Sequence, residues 1–485
     1  MDVDALFLSR VQFAFTIGFH IIFPTLTIGL ALYLVVLEGR WLATKEAFYK
    51  QAGRFWSKVF ALGFVMGVVS GVVLSYEIGT NFGNFSEITG NVLGPLMSYE
   101  VLIAFFLEAG FLGIMLFGWE RVGKRLHFTA TTLVALGTIL SAFWIVSANS
   151  WMHTPDGFHF KNGTFFIASW REAIFNPSFP YRLAHMLNAA YLATAFVIAA
   201  VAAWYALAQD HRPFGLRTLK FIIPVAAVLA PLQLVLGDMH GLNTRAHQPM
   251  KVAAMEAHWK TQRGAPLVLF ALPDQQATRN RFEIAVPKLG SLILTHTLDG
   301  KVQGLTEVPA KDRPYVPLVF FSFRLMVAIG LIMIALAWYG MYLLKRGHLV
   351  RSRRYLMTLT FAGPIGFIAV IFGWITTEVG RQPWVVQDWL RTEDAVSTVA
   401  LGSVVFSLAL FLVVYTVLLG VFLAFFRFTI KQGPGAERPP PSLPTQTGVQ
   451  MDRLDAGSFH QAPRRVAKRE SPTLLAEEAI PWTSH

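Results

Sequence analysis

The sequence predicts an all-α polytopic membrane protein with nine transmembrane helices, and three observations carry that expectation. Of 485 residues, 54% are apolar and only 14% charged, well below the roughly 25% charged of an average soluble domain. Nine apolar runs are each long enough to cross about 30 Å of hydrocarbon as helix. The basic residues fall on alternate connections between these runs instead of spreading evenly.

Taken in order, the runs cover roughly 10–38, 55–77, 96–118, 127–150, 184–208, 218–237, 318–344, 355–379 and 398–427. The first continues well past a short signal-type apolar core, so it is expected to be a permanent span and not a cleaved leader. Arg40, Lys45, Lys50, Arg54, Arg121, Lys124, Arg125, Arg212, Arg217, Lys345, Arg346, Arg351, Arg353 and Arg354 occupy the first, third, fifth and seventh connections. The connection at 78–95 has no Lys or Arg, and 380–397 has only Arg381 and Arg391. By the positive-inside rule the N-terminus is outside and the C-terminus cytoplasmic. The net charge of +12 is then largely a matter of topology, with no nucleic-acid partner implied. Four regions follow: 1–237 with helices one to six, a long outside loop at 238–317, 318–431 with helices seven to nine, and 432–485. The loop is far longer than most connections, and such loops tend to be functional. Residues 432–485 are polar and Pro-rich and are expected to form a disordered cytoplasmic tail.

The chain has no cysteine, which excludes disulfides, thiolate haem ligation, iron–sulfur clusters and cysteine zinc sites within it. Any metal must be held by His, Met or carboxylate. Of thirteen histidines, two fall in predicted spans: His20, deep in the first, and His185, at the outer start of the fifth, while His127 stands at a cytoplasmic border. Span seven carries Arg324 and Met326 near its outer end. Met is ordinarily core filler, but opposite an imidazole it can be the second axial ligand of a low-spin haem, and Arg324 would then balance a propionate.

Span three carries Glu100 and Glu108, about 12 Å apart along a helix axis and rotated by about 80°, so both can face one interior. They are either carboxylates with water or basic partners or steps of a proton relay. Ser75, Ser141 and Asn149 read as ordinary helix–helix hydrogen-bonding groups. Glu378 closes span eight, with Trp374 one turn earlier on the same face. It is followed by Arg381, by Pro383, which stops the helix, and by Trp384 at the boundary. Alone, Glu378 would be an interfacial charge; beside His20, His185 and Met326 it becomes a candidate iron ligand. In the outside loop the run from Gln248 to Trp259 predicts a short amphipathic helix after Pro249. Its Lys251 and Glu256 are five apart, not an i,i+4 pair, and by default each is a solvated charge.

With these residues assembled, the chain resembles subunit I of the cytochrome bd-type quinol oxidases over roughly residues 1–430. The resemblance rests on Leu8-Ser-Arg-Val-Gln-Phe-Ala-Phe15 leading to His20, Arg54-Phe-Trp-Ser-Lys58, Gly79-Thr-Asn-Phe82, Glu100 with Phe105-Phe-Leu-Glu108, Gly118-Trp-Glu-Arg121, Ala148-Asn-Ser-Trp-Met152, Ser322-Phe-Arg-Leu-Met326 and Gly380-Arg-Gln-Pro-Trp384. It implies that His185 and Met326 are axial ligands of a low-spin haem b. It implies further that His20 and Glu378 hold two high-spin haems, one a haem b and the other haem d or a further haem b. Which residue holds which is left open by the family. Glu100 and Glu108 match carboxylates at the high-spin site and on the proton route, and Lys251 and Glu256 match quinol-loop positions. Arg324, Arg381 and Trp374 are expected beside the haems. The loop lacks the extended insertion of the longest members, which places the chain in the short-loop class that includes cyanide-insensitive forms.

The function implied is quinol oxidation coupled to reduction of O2 to water in a bacterial cytoplasmic (inner) membrane. Proton motive force then arises from charge separation without a pump. The partners implied are a homologous-fold subunit II, a small single-span accessory subunit, quinol, O2 and membrane lipid. Two alternatives stand beside it. A membrane haem cytochrome passing electrons to a protein acceptor needs His185 and Met326 but not both His20 and Glu378. A proton-coupled transporter would use Glu100, Glu108 and Glu378 as its relay and be colourless.

Overall fold

The computed structural model describes residues 4–208 and 211–435; all but the first four residues of the expected polar tail at 432–485 are outside that set. Helices dominate. In chain order they are α1 (Ala5–His20), α2 (Ile22–Thr44), α3 (Ala47–Asn81), α4 (Gly83–Tyr99), α5 (Phe106–Phe117), α6 (Lys124–His153), α7 (Trp170–Ile174), α8 (Phe179–Leu207), α9 (Arg212–His247), α10 (Pro249–Met255), α11 (Leu289–Thr295), α12 (Val316–Lys345), α13 (Arg353–Phe361), α14 (Ile365–Val379), α15 (Thr392–Ala395) and α16 (Leu401–Gln432). Eight stretches among the described residues are long and apolar enough to span a membrane, and the pair α13–α14, bent by 41°, makes a ninth.

The helices outrun the apolar runs that predict them. A helix satisfies its backbone internally wherever it runs, so it need not stop where hydropathy falls. Thus α9 continues ten residues past the predicted end at 237, through Asp238, His240 and Asn243, and the outside loop starts at Gln248. Likewise α6 extends to His153. The first span is broken at Ile21 between α1 and α2, and α13 stops before Gly363-Pro364, as the residue preceding a proline disfavours helix. Between α4 and α5 the chain forms a π-helical turn, Glu100–Phe105, of a kind often found at functional sites.

Helix α8 is apolar all round beyond Asn188 and is the most buried span, with 78% of its apolar window inside against 11% for α16; it is therefore the centre and α16 the rim. Its alanines let neighbours approach closely. Gly29 of α2 lies against Thr194, and Gly366 of α14 against Ala193, while the Thr194 hydroxyl donates to the Thr25 carbonyl (3.2 Å). The rim exposes Val72, Phe117, Phe361, Phe406 and Val413, as lipid or another subunit would require.

Beyond α9 the loop is folded. It holds α10, α11, the antiparallel hairpin of β4 (Leu267–Asp274) and β5 (Arg279–Val286), and the short pair β3 (Gln262–Arg263) with β6 (Lys301–Val302). Ala253, Trp259, Val268 and Leu305 pack with Val316 and Phe320 of α12, so the loop shares a core with a membrane helix. A second cap forms where the hairpin of β1 (Phe158–Lys161) and β2 (Thr164–Ile167) meets the segment carrying β7 (Trp384–Val386) and β8 (Leu390–Arg391); Phe158, Phe160 and Phe165 close on Trp389.

Candidate functional site

Glu378 stands in the last turn of α14, where the helix end meets α6, α8 and the loop. Its Oε1 accepts from Asn149 Nδ2 (3.1 Å) and His153 Nε2 (3.2 Å), both of α6. Arg381, three residues on, donates to Oε2 and also to the Val385 carbonyl. Arg182 of α8 donates to Asn149 Oδ1. Lys251 of α10 donates from Nζ to His153 Nδ1 and to Gln248 Oε1, each at 2.8 Å. Gly380 makes this approach possible: a β-carbon there would stand 2.8 Å from Lys251 Cγ.

Three basic side chains, Arg182, Lys251 and Arg381, thus lie around one carboxylate, and their exposures are only 8%, 4% and 6%. Burial first, and then Arg182 and Arg381, push the Lys251 ammonium well below the usual lysine value, with Glu378 opposing. Arg381 Nε is buried without a partner. A site with spare buried positive charge and an orphaned guanidinium donor fits the carboxylate-bearing edge of a haem, which would supply the missing anions.

His20 ends α1 against Ser70 and Gly71 of α3. The single Ser70 hydroxyl proton goes to the Met66 carbonyl (2.7 Å), so the Ser70 oxygen accepts from His20 Nδ1–H (2.9 Å). That tautomer leaves the Nε2 lone pair without a hydrogen bond among the described residues, as a metal-ligating imidazole with its other nitrogen held would have it. His185 of α8 has one nitrogen capped by Gln233 Nε2 (3.1 Å) and a buried, unpartnered Nδ1; His240 of α9 lies edge-on to it at 5.5 Å. Met326 of α12 brings its sulfur against Gly373 of α14, 2.9 Å from where a β-carbon would be. Trp374 follows Gly373 and is half-buried.

Glu100 lies on the π-helical turn, so its relation to Glu108 is not that of a regular α-helix. Both nonetheless face α6. Ser141 donates to Glu100 Oε1 (2.7 Å), and Glu108 lies on Gly137, one turn earlier, its Cγ 2.5 Å from a β-carbon built there. Further along α6, Glu38 of α2 accepts from His127 and from Thr131 (2.7 Å each), fully inside the bundle.

Lys251 and Glu256 are buried, at 4% and 6% exposure, contrary to the default of solvated loop charges, because the loop has its own core. Glu256 pairs with Arg324 of α12 (Nη2–Oε2 2.6 Å), whose Nε also donates to the Val268 carbonyl (2.8 Å). Arg324, expected to balance a propionate, therefore has a protein carboxylate as its partner, and it fastens the loop to α12. Arg381 likewise is paired with Glu378, with only its Nε uncommitted.

His153, Arg182 and Gln248 were not legible as site residues, and Asn149 read as a generic helix–helix group. The available signal was spacing. Asn149 and His153 are i and i+4, so they share one face of α6 once the helix is known to run to 153, and Arg182 is an unpaired cation three residues before His185.

The chain matches the family model described as "Cytochrome bd terminal oxidase subunit I" over residues 8–434. It is 35% identical to "Cytochrome bd ubiquinol oxidase subunit 1" of Bacillus subtilis (strain 168), covering 89% of this chain and 94% of that protein. It is 32% identical to "Cytochrome bd-II ubiquinol oxidase subunit 1" of Escherichia coli (strain K12), covering 86% and 94%. Among solved structures, the bd oxidase from Geobacillus thermodenitrificans superposes with a TM-score of 0.83 at 30% identity, covering 89% of this chain and 99% of that one. With this match running from residue 8 to residue 434, the chain belongs to the cytochrome bd terminal oxidase subunit I family.

Proposed function

We propose that this chain is the haem-carrying subunit of a terminal quinol oxidase in a bacterial inner membrane, acting with a homologous-fold subunit II and, in the intact complex, a small accessory subunit. The observation that carries the proposal within the molecule is the charge imbalance at Glu378, where two buried guanidiniums, Arg381 in direct contact and Arg182 through Asn149, stand beside one carboxylate. The transporter alternative is disfavoured by the family to which the chain belongs.

Lys251 and Glu256 hold the quinol head group at the outer face, where its protons leave. His185 and Met326 would hold a low-spin haem b, while His20 and Glu378 would each hold a high-spin haem, one b and the other d or a further b. When bound, the haems supply the one-electron steps and the site of O2 reduction. Arg381, through its free Nε, and Arg182 balance negative charge there. Glu108 and Glu100 pass on protons drawn from the cytoplasmic side, with Ser141 orienting Glu100. Electrons enter from one face and protons from the other, so charge separates without a pump.

An optical spectrum of the purified complex tests the assignment. A low-spin signal plus a CO-binding high-spin signal is expected, and His185→Ala or Met326→Ala should abolish the first. Absence of haem bands would refute the oxidase, and a low-spin band with no CO-reactive haem would favour an electron-transfer cytochrome.

A further inference from the structure

His153 is the last residue of α6, 1% exposed, and both of its ring nitrogens are engaged by groups to which the proposed reaction gives different tasks. Lys251 Nζ lies 2.8 Å from Nδ1, and Glu378 Oε1 lies 3.2 Å from Nε2. Lysine is the donor in the first bond and a carboxylate the acceptor in the second, so a single neutral tautomer, protonated on Nε2, satisfies both. The other tautomer would set the Nε2 lone pair against a carboxylate oxygen. The ring therefore has one orientation and one protonation pattern.

Its surroundings reinforce that orientation. Asn149, one turn earlier on the same face of α6, donates to the same Glu378 oxygen (3.1 Å) and is itself held by Arg182. The end of α6 is tied down by the Gln387 amide, which donates to the Met152 carbonyl (2.9 Å). Asn149 and His153 thus clamp Oε1, leaving Oε2 to Arg381. The other branch from Lys251, through Gln248 to Gln387 (2.8 Å), leads away from Glu378. Among the described residues, one imidazole and two hydrogen bonds form the hydrogen-bonded link from Lys251 of the loop to the carboxylate.

We propose that His153 is a positioning residue that fixes the Glu378 carboxylate and couples it to Lys251, so that occupancy of the quinol loop is registered at the haem that Glu378 holds. This rests on the assignment of Glu378 to a high-spin haem and of Lys251 to quinol. Hydrogen-bond partners of metal ligands act in this way by fixing ligand direction and basicity, and removing one typically weakens the metal site by 10–100-fold.

The test uses the complex purified from membranes. The rate at which its high-spin haem passes to excess apomyoglobin is measured, together with the high-spin spectrum with and without a non-oxidisable quinol analogue. His153→Ala should release that haem about tenfold faster and lose the analogue-induced spectral change. His153→Gln, which again offers one donor and one acceptor, should restore both. Lys251→Met, which removes no hydrogen bond to Glu378 itself, should shift the high-spin spectrum across an intact His153; this arm stands even if His153→Ala does not assemble. Parental release and a parental analogue response in His153→Ala, or no shift in Lys251→Met, overturn the coupling. Glu378→Ala separates the two levels: if it keeps its high-spin haem, the underlying assignment fails, whereas if it loses the haem while His153→Ala behaves as the parent, only the coupling fails.

Discussion

Replacing Arg324 by alanine should loosen the outside loop from α12. The guanidinium donates to Glu256 Oε2 at 2.6 Å and to the Val268 carbonyl at 2.8 Å, joining α10 and β4 to one membrane helix. The two side chains are 18% and 8% exposed, so truncating the arginine leaves Glu256 charged, buried and alone. Removing one partner of a buried pair costs about 3–5 kcal/mol. The partial exposure of Arg324 argues for the lower end, about 3 kcal/mol, which is about a hundredfold in the equilibrium for loop opening. Limited proteolysis of residues 248–315, with cleavage slow relative to reclosing, reads that equilibrium. Cleavage should accelerate about a hundredfold by the same conversion, and the KM for quinol should rise with it. Glu256→Ala added to Arg324→Ala should recover much of the loss, because no unpaired charge then remains. A proteolysis rate unchanged in Arg324→Ala, or strictly additive effects in the pair, would refute the view that this ion pair anchors the loop.

Three further outcomes are expected. Gly137→Ala puts a β-carbon 2.5 Å from Glu108 Cγ and 3.3 Å from the Ala104 carbonyl; overpacking of about 1–3 kcal/mol should lower the thermal midpoint and displace Glu108, seen as a loss of O2 consumption exceeding any loss of low-spin haem. Gly29→Ala meets Thr194 Oγ1 at 2.1 Å and the Ala190 carbonyl at 2.9 Å, and should lower the midpoint with no specific spectral change, since α2 and α8 meet there away from the site. Lys251 makes haem-depleted protein sensitive to pH. Burial, with Arg182 and Arg381, holds its ammonium well below the usual lysine value, so between that lowered value and about 10.4 the unfolded chain binds a proton that the folded chain does not. Stability should then rise with pH across that window, by at most about 1.4 kcal/mol per unit. Thermal unfolding from neutral to alkaline pH should show this slope, and Lys251→Met should remove it.

How much of this was legible in the sequence follows from what hydropathy can register. It registers transfer cost, so the nine spans were visible as apolar runs, including the one that bends before Pro364. It does not register where a helix ends once its backbone is satisfied internally. That is why α6 and α9 ran past their predicted limits and took His153 and His240 with them. The candidate ligands His20, His185, Met326 and Glu378 stood out because each is a costly or uncommon group in an apolar context. Their supporting residues did not, because Asn149, Arg182 and Gln248 become informative only when three helices and a loop converge.

The loop shows the same division more sharply. Lys251 and Glu256 are ordinary charges on a short amphipathic helix when read alone, and nothing in their spacing joins them. Folding gives them opposite partners: Glu256 is neutralised by Arg324 of α12, while Lys251 is directed through His153 to Glu378. One residue of the loop is thus tied to the frame and the other to the reactive end of α14. Loss of Arg324 should therefore weaken the grip on quinol, whereas loss of His153 should leave the loop in place and silence its effect on the haem. A loop that bound quinol as one rigid patch would lose both functions together in either variant.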